Sequence, residues 1–400
     1  MSPNNIWTPF GDYDSDKISA EKQWRERDRH EAQKAGFEAE WQGDFGDWLE
    51  VQQPEIQRIG KSTGAPLAAR SEFTALLARE QAKSPQAGVY EISTRAWIDR
   101  LIAVIESTCN RLRVPIRNNS VVSGMSPELG VAIGQTRVLD ASRVTNVSII
   151  RATASYFLFY NTIAKLLARS LLHDGTKIIF NRELINNNVR SSPGLVTAWT
   201  MAVAQYAAFG RPPENFRILL PKGPAMQTCV EMVDAHDLFA VAHEYGHHAL
   251  NHDTQQTGED RTSNFRKEFD ADYFSQFISQ AVARSLLLSN RFALFGGGAV
   301  ISLCANDILM RAKSVLSNGL VSYSASDSHP PTASRIQALG RLDFYLSAEH
   351  QLQAGMLRVS LFRLFKMIWA IVLPGLVECR ACGLRPVERR NRDAGGWLPN

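Results

Sequence analysis

Apolar residues recur three and four positions apart along most of this chain, which is the period of a helix that buries one face. The stretch "YEISTRAWIDRLIAVIESTCNRLRV" (90–114) shows it within a longer helical pattern over 66–115, and "SYFLFYNTIAKLLARSLLHDG" (155–175) shows it again, ending near Gly175. Beyond residue 230 the same period fills 231–252, 265–291, 297–317, 332–348 and 351–378. Strand patterns are few. "TKIIFN" (176–181) and "NFRILLP" (215–221) are the best candidates, the second bounded by Pro212, Pro213 and Pro221. The β-branched runs "SVVSG" and "RVTNVSII" suit strands or turns. The expected fold is mainly α with a small β-sheet.

Two runs are apolar on every side, "PGLVTAWTMAVAQYAAFG" (193–210) and "MIWAIVLPGLV" (367–377). Neither provides the uninterrupted span of roughly 18–20 residues that a bilayer needs, and Pro374 interrupts the second. Both are expected as buried core helices, with no transmembrane segment. A peripheral membrane contact by 356–378 remains compatible with the flanking Arg358, Arg363 and Lys366.

Composition narrows the class. Hydrophobic content of 44% with 21% charged residues is that of a folded chain, and a net charge of +4 over 400 residues implies no nucleic-acid partner. Cys109, Cys229, Cys304, Cys379 and Cys382 are odd in number and mostly far apart, which gives no disulfide framework. The start "MSPNNIWTPFGDYDSDK" has no basic end followed by an apolar run, so a cytoplasmic location is the default. The chain divides into a charged segment (1–60), a helical region with a few strands and an open role (61–230), a core carrying the chemistry (231–348), and a C-terminal helix with a basic tail (349–400).

That chemistry begins in "DLFAVAHEYGHHALNHD" (237–253), which holds four of the nine histidines, with His236 just before it. His243 and His247 are four apart, so on a helix both imidazoles project from one face and can hold one Zn²⁺ at about 2.0–2.1 Å. Glu244 lies beside the first, where it can hydrogen-bond a zinc-bound water and accept its proton. Gly246 leaves room beside the second. A catalytic zinc takes a third protein ligand and keeps its fourth position open. "FRKEFDADYFSQF" (265–277) supplies Glu268 for that place, and Asp272, one turn on, can accept the spare N–H of a ligand histidine. In "SHPPTASRIQAL" (328–339), His329 at a helix entrance can donate to an oxyanion, and Arg335 can position it or the substrate backbone.

"HEYGH", "EFDAD" and "HPPTASRI" occur in the order seen in gluzincins, and the region from 237 to 340 resembles the CAAX prenyl endopeptidases, the bacterial heat-shock membrane proteases and their soluble relatives. A further similarity is to phage-exclusion peptidases of the Lit type. The resemblance implies a zincin-like α+β fold, one zinc per chain held by His243, His247 and Glu268, and Glu244 as base. It also implies Asp272 as support and His329 and Arg335 as transition-state helpers. The N-A-F…P-G-G strand signature of the membrane relatives is missing here, and the first half of the chain matches nothing in them.

The expected function is a zinc-dependent endopeptidase acting on an intracellular protein or peptide bound in extended form. One alternative is a protease of the same chemistry restricted to a single regulatory or phage-defence target. Another is a non-catalytic interaction protein with a structural zinc, against which the presence of Glu244 counts. His236, His248 and His252 are expected to decorate the helix. "CRAC" (379–382) lacks the second pair of a zinc ribbon, "LFGGGAV" (294–300) suits a tight turn or close helix packing, and no serine nucleophile elbow is present.

Overall fold

A computed structural model of the chain describes residues 17–27 and most of 89–387, leaving out 117–119, 127–129, 141–142, 176, 213–217, 219, 253–260, 286–289 and 322–328. The architecture is mainly helical with a small sheet. Residues 17–27 are helical; the rest of the charged leader, the pattern over 66–88 and residues 388–400 of the basic tail lie outside the described residues. "YEISTRAWIDRLIAVIESTCNRLRV" forms the helix Val89–Leu112, and "SYFLFYNTIAKLLARSLLHDG" forms Ala154–Ser170.

Strands β1 (Val121–Ser126), β2 (Ile133–Asp140) and β3 (Arg143–Thr153) make one sheet of order β1-β3-β2, with β1 parallel and β2 antiparallel to the central strand. The sheet thus rests on the two β-branched runs, while β2 has no clear period-2 signal and pairs because β3 offers it a partner. "TKIIFN" contributes Lys177–Ile179 to a hairpin with Leu172–Asp174, turned at Gly175 with φ +55°. "NFRILLP" falls largely outside the described residues, and its Ile218 and Leu220 carry no strand.

Two helices organise the centre. The histidine helix, Pro224–Ala249, is buried along most of its length, and the carboxylate helix, Arg261–Ser285, packs along it. Gly246 makes this possible: a Cβ there would lie 3.3 Å from Ala271 Cα and 3.2 Å from the Phe274 ring. "LFGGGAV" does pack helices closely. Gly298 opens the helix Gly297–Asn318 against the histidine helix, where a Cβ would collide with the Ala235 carbonyl. Gly298→Ala should therefore lower stability by about 1–3 kcal/mol through overpacking. A denaturation midpoint equal to that of the wild type would show that the two helices can move apart freely.

"PGLVTAWTMAVAQYAAFG" forms the helix Pro193–Phe209, which is largely buried in its second half, from Trp199 to Ala208, and exposed at Pro193, Gly194 and Thr197 in its first. The C-terminal apolar run differs from expectation. Pro374 does not interrupt it, and one helix, Ala348–Ala381, runs through, long and apolar enough by length and composition to cross a membrane. Its inner face, including Leu361, Ile368, Val372 and Leu376, is fully buried in the core. A single hydrophobic cluster extends from Ile98 to Leu376, so it draws on both sides of the boundaries expected at 230 and 348.

Candidate metal centre

His243 and His247 stand one turn apart on the histidine helix, and their Nε2 atoms face each other at 3.2 Å. Glu268 reaches them from the carboxylate helix, with Oε2 3.5 Å from His243 Nε2 and Oε1 3.5 Å from His247 Nε2. The two distances to Glu268 end on different oxygens, and one ligand atom from each of the three residues lies within 4.8 Å of the others, close enough to share one ion. His243 and Glu268 are buried and His247 is partly buried. Two imidazole nitrogens and a carboxylate converging in a largely buried space are a set suited to a cation.

Around the three lies a network of charge. His243 Nδ1 sits 3.1 Å from Asp272 Oδ1, and Arg335 donates from Nε and Nη2 to the two oxygens of Asp272, each at 2.7 Å. Arg335 Nη1 is also 3.2 Å from Glu268 Oε2. Burial by itself would raise both carboxyls, but Arg335 reverses this and holds Glu268 well below the ordinary range, and Asp272 below it too. Burial likewise opposes protonation of His243, yet Asp272 and Glu268 together carry it up to about 10. Arg335 is itself buried, and the donors described above point at protein carboxylates, in place of the expected His329 or substrate backbone.

Glu244 lies on the adjoining side of the histidine helix, against strand β2, where its carboxylate accepts the backbone N–H of Gln135. Burial raises the Glu244 carboxyl above its ordinary value, with His243 and His247 pulling the other way. His329 is partly exposed, its Nε2 3.5 Å from Glu268 Oε1. The structure thus brings together all seven residues singled out from the sequence: His243, His247, Glu268, Glu244, Asp272, His329 and Arg335.

No family model matches the chain, and no curated protein or solved structure is similar to it at a significant level.

The other histidines of the cluster do more than decorate the helix. His248 is fully buried and bonds Ser120 Oγ at 3.0 Å and Ser148 Oγ at 2.7 Å, tying the helix to β3 and the residue before β1. His236, also buried, pairs with Asp237 Oδ1 at 2.7 Å and stacks on Tyr160, while Trp97 Nε1 donates to Asp237 Oδ2 at 2.8 Å. His252 places Nδ1 3.0 Å from His247 Nδ1, behind the ligand face. Burial, with His247 next in effect, lowers the His252 imidazole to about 4, so it meets His247 uncharged. The missed signal for His248 was its place on the sheet side of a helix with apolar residues nearly all round; that side becomes legible only once β3 is known to cover it.

Proposed function

We propose that this chain is a zinc-dependent endopeptidase of zincin-like α+β architecture. The observation that carries the reading is the convergence of His243, His247 and Glu268, one ligand atom from each within 4.8 Å of the others, beside the carboxylate of Glu244. The order of "HEYGH", "EFDAD" and "HPPTASRI" supports the same reading.

His243, His247 and Glu268 would hold the ion. When bound, zinc supplies Lewis-acid polarisation of a carbonyl and a lowered pKa for water. Glu244 takes the proton of the attacking water and passes it to the leaving amine. Its contact with Gln135 places that carboxylate beside β2, an edge strand of the sheet. An extended peptide can add to such an edge by main-chain hydrogen bonds, which presents its carbonyls in sequence to Glu244. His329, partly open to solvent and 3.5 Å from Glu268 Oε1, donates to the oxygen that becomes negative. Asp272 orients His243, and Arg335 holds Asp272 and Glu268 in place, a positioning role.

Metal content decides the first half of this reading. Purified wild type should contain about one zinc per chain by elemental analysis, and Glu268→Ala should lose most of it. Wild type that takes up no zinc on supplementation, or a variant that keeps it fully, would remove the proposal.

A further inference from the structure

The helix Ala348–Ala381 is apolar on two faces, and only one of them is used by the core. Along the outer face Leu352, Met356, Val359 and Val377 are exposed, the first at 66% and the second at 62%. Two cations, Arg363 and Lys366, interrupt this face midway, and no acidic residue occurs anywhere from 350 to 377. Beside them an open groove of about 570 Å³ lies between this helix and the short helix Arg182–Arg190. The second helix adds Arg182 and Arg190 to its walls, so four cations line the groove with Glu183 as the one acid among the described lining residues.

The chemistry of this surface selects its partner. A spanning arrangement would have to pull Leu361, Ile368, Val372 and Leu376 out of the core and place Arg363 and Lys366 in hydrocarbon. A second copy docked face to face would set the same cations against each other. A membrane surface bearing anionic lipids satisfies both halves at once: phosphate and carboxylate headgroups meet the groove, and the exposed apolar side chains enter the headgroup boundary. We propose that the outer face of Ala348–Ala381 and the adjoining basic groove dock the folded chain, lying flat, on an anionic membrane surface.

The surface is independent of the metal centre, so the test stands whatever the fate of the peptidase reading. Full-length protein is sedimented with vesicles of phosphatidylcholine alone and with vesicles containing phosphatidylserine. Binding is expected on the anionic vesicles, weak on the neutral ones, and reduced by added salt. The double variant Arg363→Gln, Lys366→Gln, both exposed positions, should bind on the order of thirtyfold more weakly, from the usual gain per cation at an anionic surface. Its thermal unfolding should match the wild type. Equal binding to both vesicle types, or undiminished binding by the variant, would overturn the proposal. So would thermal protection by inorganic phosphate without vesicle binding, which would mark the groove as a small-anion site.

Discussion

Glu244→Gln is expected to carry as much zinc as the wild type while hydrolysing peptide bonds about 10²–10⁴-fold more slowly, the span usual for a general base. The side chain is not one of the three converging ligands, so its replacement leaves the cation set intact. Glutamine has the same shape and can still accept the Gln135 N–H, which separates loss of the proton acceptor from loss of packing against β2. The proposed substrate is an extended protein segment, so the readout is the appearance of new protein N-termini in a lysate incubated with each form. A variant that cleaves as fast as the wild type sinks Glu244 as base. A variant that cleaves slowly because it has lost its zinc shows Glu244 to be part of the metal site.

Arg335→Met should be the most destabilising single change near the centre, by about 3–5 kcal/mol for breaking a buried ion pair from one side. The guanidinium makes two 2.7 Å bonds to Asp272 and approaches Glu268 at 3.2 Å, all of it buried. Removing it strands two carboxylates away from water. Bound zinc should recover part of the loss, because a cation at His243, His247 and Glu268 compensates Glu268 but not Asp272. Denaturant unfolding with and without zinc measures both effects. A loss under about 1 kcal/mol would mean that the charges are solvated in the folded chain, and a full stability with a slow enzyme would return Arg335 to a substrate-facing role.

The parts of this centre that could be read from the sequence are those set by local helical geometry. Four-residue spacing places His243 and His247 on one face, and the same spacing places Glu268 and Asp272 on another, whatever the rest of the chain does. The period of the apolar positions likewise gave the existence of the long helices, though the histidine helix starts at Pro224, seven residues before the expected 231. The helix expected over 332–348 ends at Leu339 and continues only as the 3-10 helix Gly340–Tyr345. It failed where the outcome depended on a partner. Strand β2 becomes a strand because β3 accepts its register, from Ile133 opposite Ala152 to Asp140 opposite Arg143. Pro374 suggested a break, yet the helix around it continues, held on its inner side by Val372 and Leu376 in the core. His248 looked like a polar decoration until two serines from the sheet enclosed it.

The sequence by itself determined that this is a mainly helical chain with a small sheet, and which side chains could offer metal-ligand and acid–base groups, since residue identity and helical period are local properties. Only the tertiary structure decided that those groups meet. The bare Cα of Gly246 lets the carboxylate helix approach the histidine helix closely, and that approach brings Glu268 to within 3.5 Å of both imidazoles. It also decided that Arg335, sixty-three residues beyond Asp272, binds that carboxylate. Contacts at such separation follow from how helices pack on a shared core, a cooperative property of the whole chain that no window of sequence contains.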